Sequence, residues 1–136
     1  MSFSELIRSE EEFLKRLLLV SRRQLEIVEL GNASVLLQFM TQRERLGNEF
    51  DRLEKQLAPH KGIPPEKRVW NSHEERQITE SALKRCEELM KEILANDEIS
   101  MAKMELLKDR AENDLRRVQL AKTAAPAYAR QSQLPR

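Results

Sequence analysis

A chain of 136 residues is long enough for one domain with a working core. Charged residues make up 35% of it and hydrophobic residues 40%, with only six aromatics, the mix of helical bundles and coiled coils. Its 24 basic and 23 acidic residues are interspersed, so no long-range field gathers nucleic acid or an anionic membrane.

The first predicted element covers about residues 2–30. Ser2 and Glu5 stand at capping-box spacing, and Phe3, Ile7, Leu14, Leu18, Leu25 and Val28 recur at helical spacing behind them. Gly31 follows where a left-handed residue ends a helix at little cost, and Asn32 can cap the next one. A turn this short makes the first two helices antiparallel.

The second element, about residues 33–58, carries the cleanest pattern. Leu36, Phe39, Arg43, Leu46, Phe50, Leu53 and Leu57 alternate three and four apart, a heptad seam interrupted only by Arg43. Gly47 inside it marks either a close helix approach or a tolerated cost of about 1 kcal/mol against alanine. Residues 59–65, with three prolines and Gly62, read as a loop.

From there the chain runs sixty residues, between Pro65 and Pro126, without glycine or proline. Ser72 and Glu75 repeat the capping-box spacing, so the third element starts near Ser72. Its seam is Thr79, Leu83, Cys86, Met90 and Ile93, then a polar gap over residues 96–100, then Met104, Leu107, Ala111, Asp114 and Val118. The first two helices would each be ~40 Å long and the third ~75 Å. Its outer half must therefore overhang, dimerise, or fold back at Asn96-Asp97 as a fourth helix. The expected fold is an all-α antiparallel bundle of three long helices, the third either continuous or split near Asn96-Asp97. Residues 1–122 form the domain, and 123–136, with two prolines, a flexible tail.

Catalytic constellations are missing. Neither His60 nor His73 has a glutamate three residues before it, so the di-iron bundle motif is absent. A single cysteine and the wrong histidine spacing leave no zinc pattern, and no glycine loop cradles phosphate. An enzyme would have to work around His73, Glu74 and Glu75. The expectation is no enzyme, no catalytic residue, no metal and no cofactor. Cys86 lies between Leu83 and Met90 on an apolar stripe and reads as a buried structural thiol. It has no internal disulfide partner, in keeping with a reducing compartment. The longest apolar run, residues 17–20, is far below the ~20 needed for a membrane span. An acidic N-terminus does not suit a signal peptide, so the expected location is the cytoplasm.

Binding is where the pattern leads. Methionine suits surfaces that accept a partner helix in more than one packing. Met40 and Met90 read as core filling, while Met101 and Met104 lie beside Leu107, Leu115 and Val118 on a stripe that something must cover. With Leu36, Phe39 and Met40, these residues are the candidate partner-binding set. Their expected ligand is an amphipathic helix of a client protein. The alternative is a coiled-coil adaptor or scaffold that homodimerises through its C-terminal helix.

Three stretches carry a family resemblance. Residues 24–31 (QLEIVELG), followed by Val35-Leu36-Leu37, close one helix on glycine before a leucine-rich second helix. Glu54-Lys55-Gln56-Leu57, then Gly62-Ile63, follow in order, as do residues 93–98 (ILANDE) and Ala127-Tyr128. Together these resemble the small flagellar type III export chaperones of the FliT kind, with the FlgN kind close behind. The family often has an aromatic after the first-turn glycine, where Asn32-Ala33-Ser34 stands here. The resemblance implies a chaperone that binds the C-terminal helical region of a late export substrate, a filament-cap or hook–filament junction protein. It implies that the client is kept from premature assembly and passed to the export machinery. It also implies a final helix that folds over the client surface and releases, here residues 97–122 hinged at Asn96-Asp97.

Overall fold

The computed structural model describes residues 2–133, with side chains as far as Thr123. It contains three long α-helices and no strand among the described residues: α1 (Phe3–Leu30), α2 (Ala33–Lys61) and α3 (His73–Gln133), with a 3-10 turn at Pro65–Lys67.

Each helix begins where a side chain can satisfy its first amides. The Glu5 N–H donates to Ser2 Oγ (3.2 Å), that of Val35 to Asn32 Oδ1 (3.2 Å), and that of Glu75 to Ser72 Oγ (3.0 Å). Gly31 closes α1 in the left-handed region (φ 70°), its N–H donating to the Val28 carbonyl at 3.0 Å. Helix α2 runs past the expected end at residue 58 to Lys61, through Pro59. A proline in the last turn forfeits one helical hydrogen bond, a smaller loss than in mid-helix. Helix α3 is continuous through Asn96 and Asp97, so the fold-back at that point does not occur. Asparagine and aspartate lower helix propensity by only about 0.5 kcal/mol each, too little to break a helix flanked by Ile93, Leu94 and Ala95. Its backbone also stays helical beyond Thr123, where the sequence suggests a tail, to Gln133. Residues 134–136 and the Tyr128 side chain lie outside what is described.

The chain divides into two compact units, one ending at Ser100 and the other starting at Met101. In the first, α1 and α3 run parallel. Ser4 donates to Glu75 (2.6 Å) and meets Thr79 (2.8 Å), Arg22 pairs with Glu92 (2.6 Å), and Asn96 donates to Ser21 (3.1 Å). A near-constant separation of 70 to 75 residues along these pairs requires the parallel direction. Helix α2 runs opposite to α1, with Arg16 opposite Glu49 and Phe13 stacked on Phe50 at 5.5 Å.

Two apolar clusters hold this unit. Leu6, Ile7, Leu57 and Ala82 form one, with Phe3, Leu53 and Leu83 against it. Leu14, Leu18, Cys86 and Ile93 form the other, with Leu17, Phe50, Leu89 and Met90 against it. The interruption in the α2 seam has a purpose: Arg43 donates to Gln24 of α1 and to Asp97 of α3. The polar gap in α3 is therefore filled by a polar layer that ties all three helices. Gly47, by contrast, is exposed, and a Cβ there would meet nothing within 4 Å. It is a tolerated cost and not a close approach. Gly47→Ala should raise the unfolding free energy by about 1 kcal/mol in urea titration.

Candidate functional site

Within the first unit the start of α2 is largely open: of residues 33–42 only Leu36, Phe39 and Met40 are partly covered. Leu36, Phe39 and Met40 share one helix face at spacings of three and four, and all three are half-buried. None belongs to either apolar cluster, although Met40 reads as core filling in the sequence. Leu37 next to them is 70% exposed. Met90, the other methionine assigned to the core, does pack against the second cluster.

The second unit carries the longer stripe. Met101, Met104, Leu107, Leu115 and Val118 fall within a band about 120° wide at 100° per residue. Met104 and Leu107 are half-buried, whereas Met101 is 67%, Leu115 58% and Val118 50% exposed. Leu106 and Leu120, which sequence reasoning left out, are equally open at 57% and 68%. They lie off the band, and single exposed leucines are ordinary on a protein surface. A run of large apolar side chains at heptad spacing is not ordinary, and marks a face that meets another helix.

A cleft of ≈ 550 Å³ lies between the three helices of the first unit. Phe3, Ile7, Phe50, Leu83 and Met90 give it apolar walls, and Glu10, Glu54, Lys61 and Lys91 a charged rim. Burial, and then the Glu54 carboxylate, push the Glu10 carboxyl above its ordinary value against the pull of Lys61. Cys86 also lines it. Burial pushes that thiol up to about 12, helped by Glu10, Glu11 and Glu87 and opposed by Arg85. A thiol so placed holds its proton and is a poor nucleophile. Its thiolate fraction at pH 8 is roughly a thousandfold below that of a free cysteine. Iodoacetamide at pH 8 should therefore leave Cys86 unmodified in the folded chain and alkylate it once urea unfolds the bundle.

The residues around His73 are engaged structurally. Glu75 accepts from Ser4 Oγ through one oxygen and from the Asn71 N–H (2.9 Å) through the other. It thus anchors the start of α3 to α1. Glu11, held below the ordinary carboxylate range by hydrogen bonding from the Arg85 guanidinium against the effect of its own burial, performs the same service about two turns further along α1.

Sequence reasoning missed the aromatic seal at the loop end. Phe3 meets Trp70 edge-on at 6.1 Å and His60 at 5.7 Å, and the Arg68 guanidinium sits 4.0 Å over its ring. Arg68 also donates to the His60 carbonyl at 3.1 Å. Such a cluster closes one end of the bundle and holds the connection between α2 and α3. The single tryptophan, between the Pro64-Pro65 pair and the Ser72 cap, was the signal available for it. No helix among the described residues is long and apolar enough to cross a membrane. Compared with family models, curated proteins and solved structures, the chain matches none.

Proposed function

We propose that this chain is a cytoplasmic, non-enzymatic export chaperone that captures an amphipathic helix of its client. The client is the C-terminal helical region of a late flagellar substrate, a filament-cap or hook–filament junction protein. Capture keeps that region from assembling before export. The observation behind this is the stripe of Met101, Met104, Leu107, Leu115 and Val118, three of whose members are at least half exposed. Leaving such side chains in water forgoes about 25 cal/mol for each Å² that a partner would cover. Leu36, Phe39 and Met40 offer a second apolar face for a client, and methionine on both lets each adapt to the helix it receives. The flagellar client class comes from the family resemblance of residues 24–37, 54–63 and 93–98.

Affinity purification of the tagged chain from its native host, grown while flagellar genes are expressed, tests this reading. Mass spectrometry should identify a filament-cap or hook-associated protein, and Met104→Glu or Leu115→Glu should remove it at least tenfold. Recovery of the chain alone would point instead to a self-associating scaffold.

A further inference from the structure

The stripe on α3 says more than that a helix is bound, because its flanks are one-signed. With Met104, Ala111 and Val118 at heptad position a, Leu107 and Asp114 stand at d. One flank, position e, then holds Met101, Lys108, Leu115 and Lys122. The other, position g, holds Lys103, Arg110 and Arg117. Every charged residue on either flank is basic, in a chain whose total charge is close to balanced. Apart from Asp114, the acids of this stretch, Glu105, Asp109 and Glu112, stand at b and f, away from the seam. Lys108, Arg110, Arg117 and Lys122 are exposed on the helix.

Flanking charges at e and g decide which helix a coiled-coil seam accepts. In a parallel pair of identical chains Lys would face Lys and Arg would face Lys across the seam. In an antiparallel pair each flank would face its own copy, again basic against basic. Asp114 would in addition oppose Asp114 in the parallel case. Both arrangements disfavour a second copy of the chain. A membrane surface suits the cations but not Asp114 within the apolar stripe, nor a narrow seam that contains Ala111 and no aromatic.

We propose that this face docks an amphipathic helix whose own flanking positions are acidic, an inference that rests on the helix-capture reading above. The apolar seam supplies burial, and the basic flanks supply selection and a faster encounter. Asp114, inside the seam, favours a partner with a basic or hydrogen-bonding side chain at the facing layer.

Two synthetic helices of about 28 residues, four heptads with leucine at a and d, serve as probes. One carries glutamate at every e and g, the other lysine. Fluorescence anisotropy against the full chain should give at least tenfold tighter binding of the glutamate peptide at low salt. That preference should shrink at about 0.5 M salt, where screening shortens the reach of the flanking charges. Replacing Lys108, Arg110, Arg117 and Lys122 by glutamate should reverse the order of the two peptides, and by glutamine should level them. Circular dichroism checks that helicity is kept. Equal affinity for both peptides in the native chain would overturn acidic selection while leaving helix capture standing. Binding of neither would overturn both. Binding of neither peptide together with binding to phosphatidylserine vesicles would replace them with a membrane role.

Discussion

Leu57→Ala should lower the unfolding free energy by about 3 kcal/mol, within the 2–5 found when leucine is cut to alanine in a core that cannot collapse around the cavity. Leu57 is the one buried residue of α2 and is fully enclosed. It shares a cluster with Leu6 and Ile7 of α1 and Ala82 of α3, so its side chain, with Leu53 against it, ties α2 to both other helices at this end. Leu37→Ala is the control. That side chain is 70% exposed, and its loss should change stability by less than about 0.5 kcal/mol. Urea titration of both variants measures the contrast, and similar losses for the two would mean that α2 is not held where Leu57 places it.

Arg43→Ala should cost about 2 kcal/mol. Removing one partner of a buried ion pair costs about 3–5 kcal/mol, and the value is reduced here because the Arg43 and Asp97 side chains keep 17% and 23% exposure. Two groups would lose their donor. Asp97 has a second carboxylate oxygen that already lacks a partner, and Gln24 is buried at 2% exposure. The double replacement Arg43→Leu with Asp97→Leu should recover most of the loss, because an apolar pair carries no desolvation penalty. A double-mutant cycle in urea measures the coupling. A loss in the double variant equal to the sum of the Arg43→Leu and Asp97→Leu losses would show that the two side chains do not support one another.

These two positions also show what could be read from residues alone. The caps at Ser2, Asn32 and Ser72 and the stop at Gly31 were legible because each works within one helical turn. The heptad seam of α2 was legible for the same reason. Arg43 was visible as an interruption, and residues 96–100 as a gap, but their meeting spans 54 positions of chain. No local rule connects them. The antiparallel register does: from Leu57 and Ala82, which share a cluster, fourteen residues back along α2 reach Arg43 and fifteen forward along α3 reach Asp97. A polar gap in isolation looks like a hinge, since weak docking is the default for polar residues in a seam. Paired with a cation it becomes an anchor, and α3 stays one helix across it.

The candidate surface was legible in a different way. The stripe from Met101 to Val118 follows from spacing alone, whereas its exposure depends on what the rest of the chain covers. Leu36, Phe39 and Met40 share that dependence. Their periodicity is as regular as that of Phe50, Leu53 and Leu57, yet only the later three join the clusters.

Titration calorimetry of the full chain against the C-terminal helical region of a filament-cap or hook–filament junction protein from the same host tests the central claim most directly. One-to-one binding, with Kd in the micromolar range or below and lost in both Met104→Glu and Leu115→Glu while helicity is unchanged, is the predicted result. Absence of binding, or affinity unaltered by both substitutions, would contradict it.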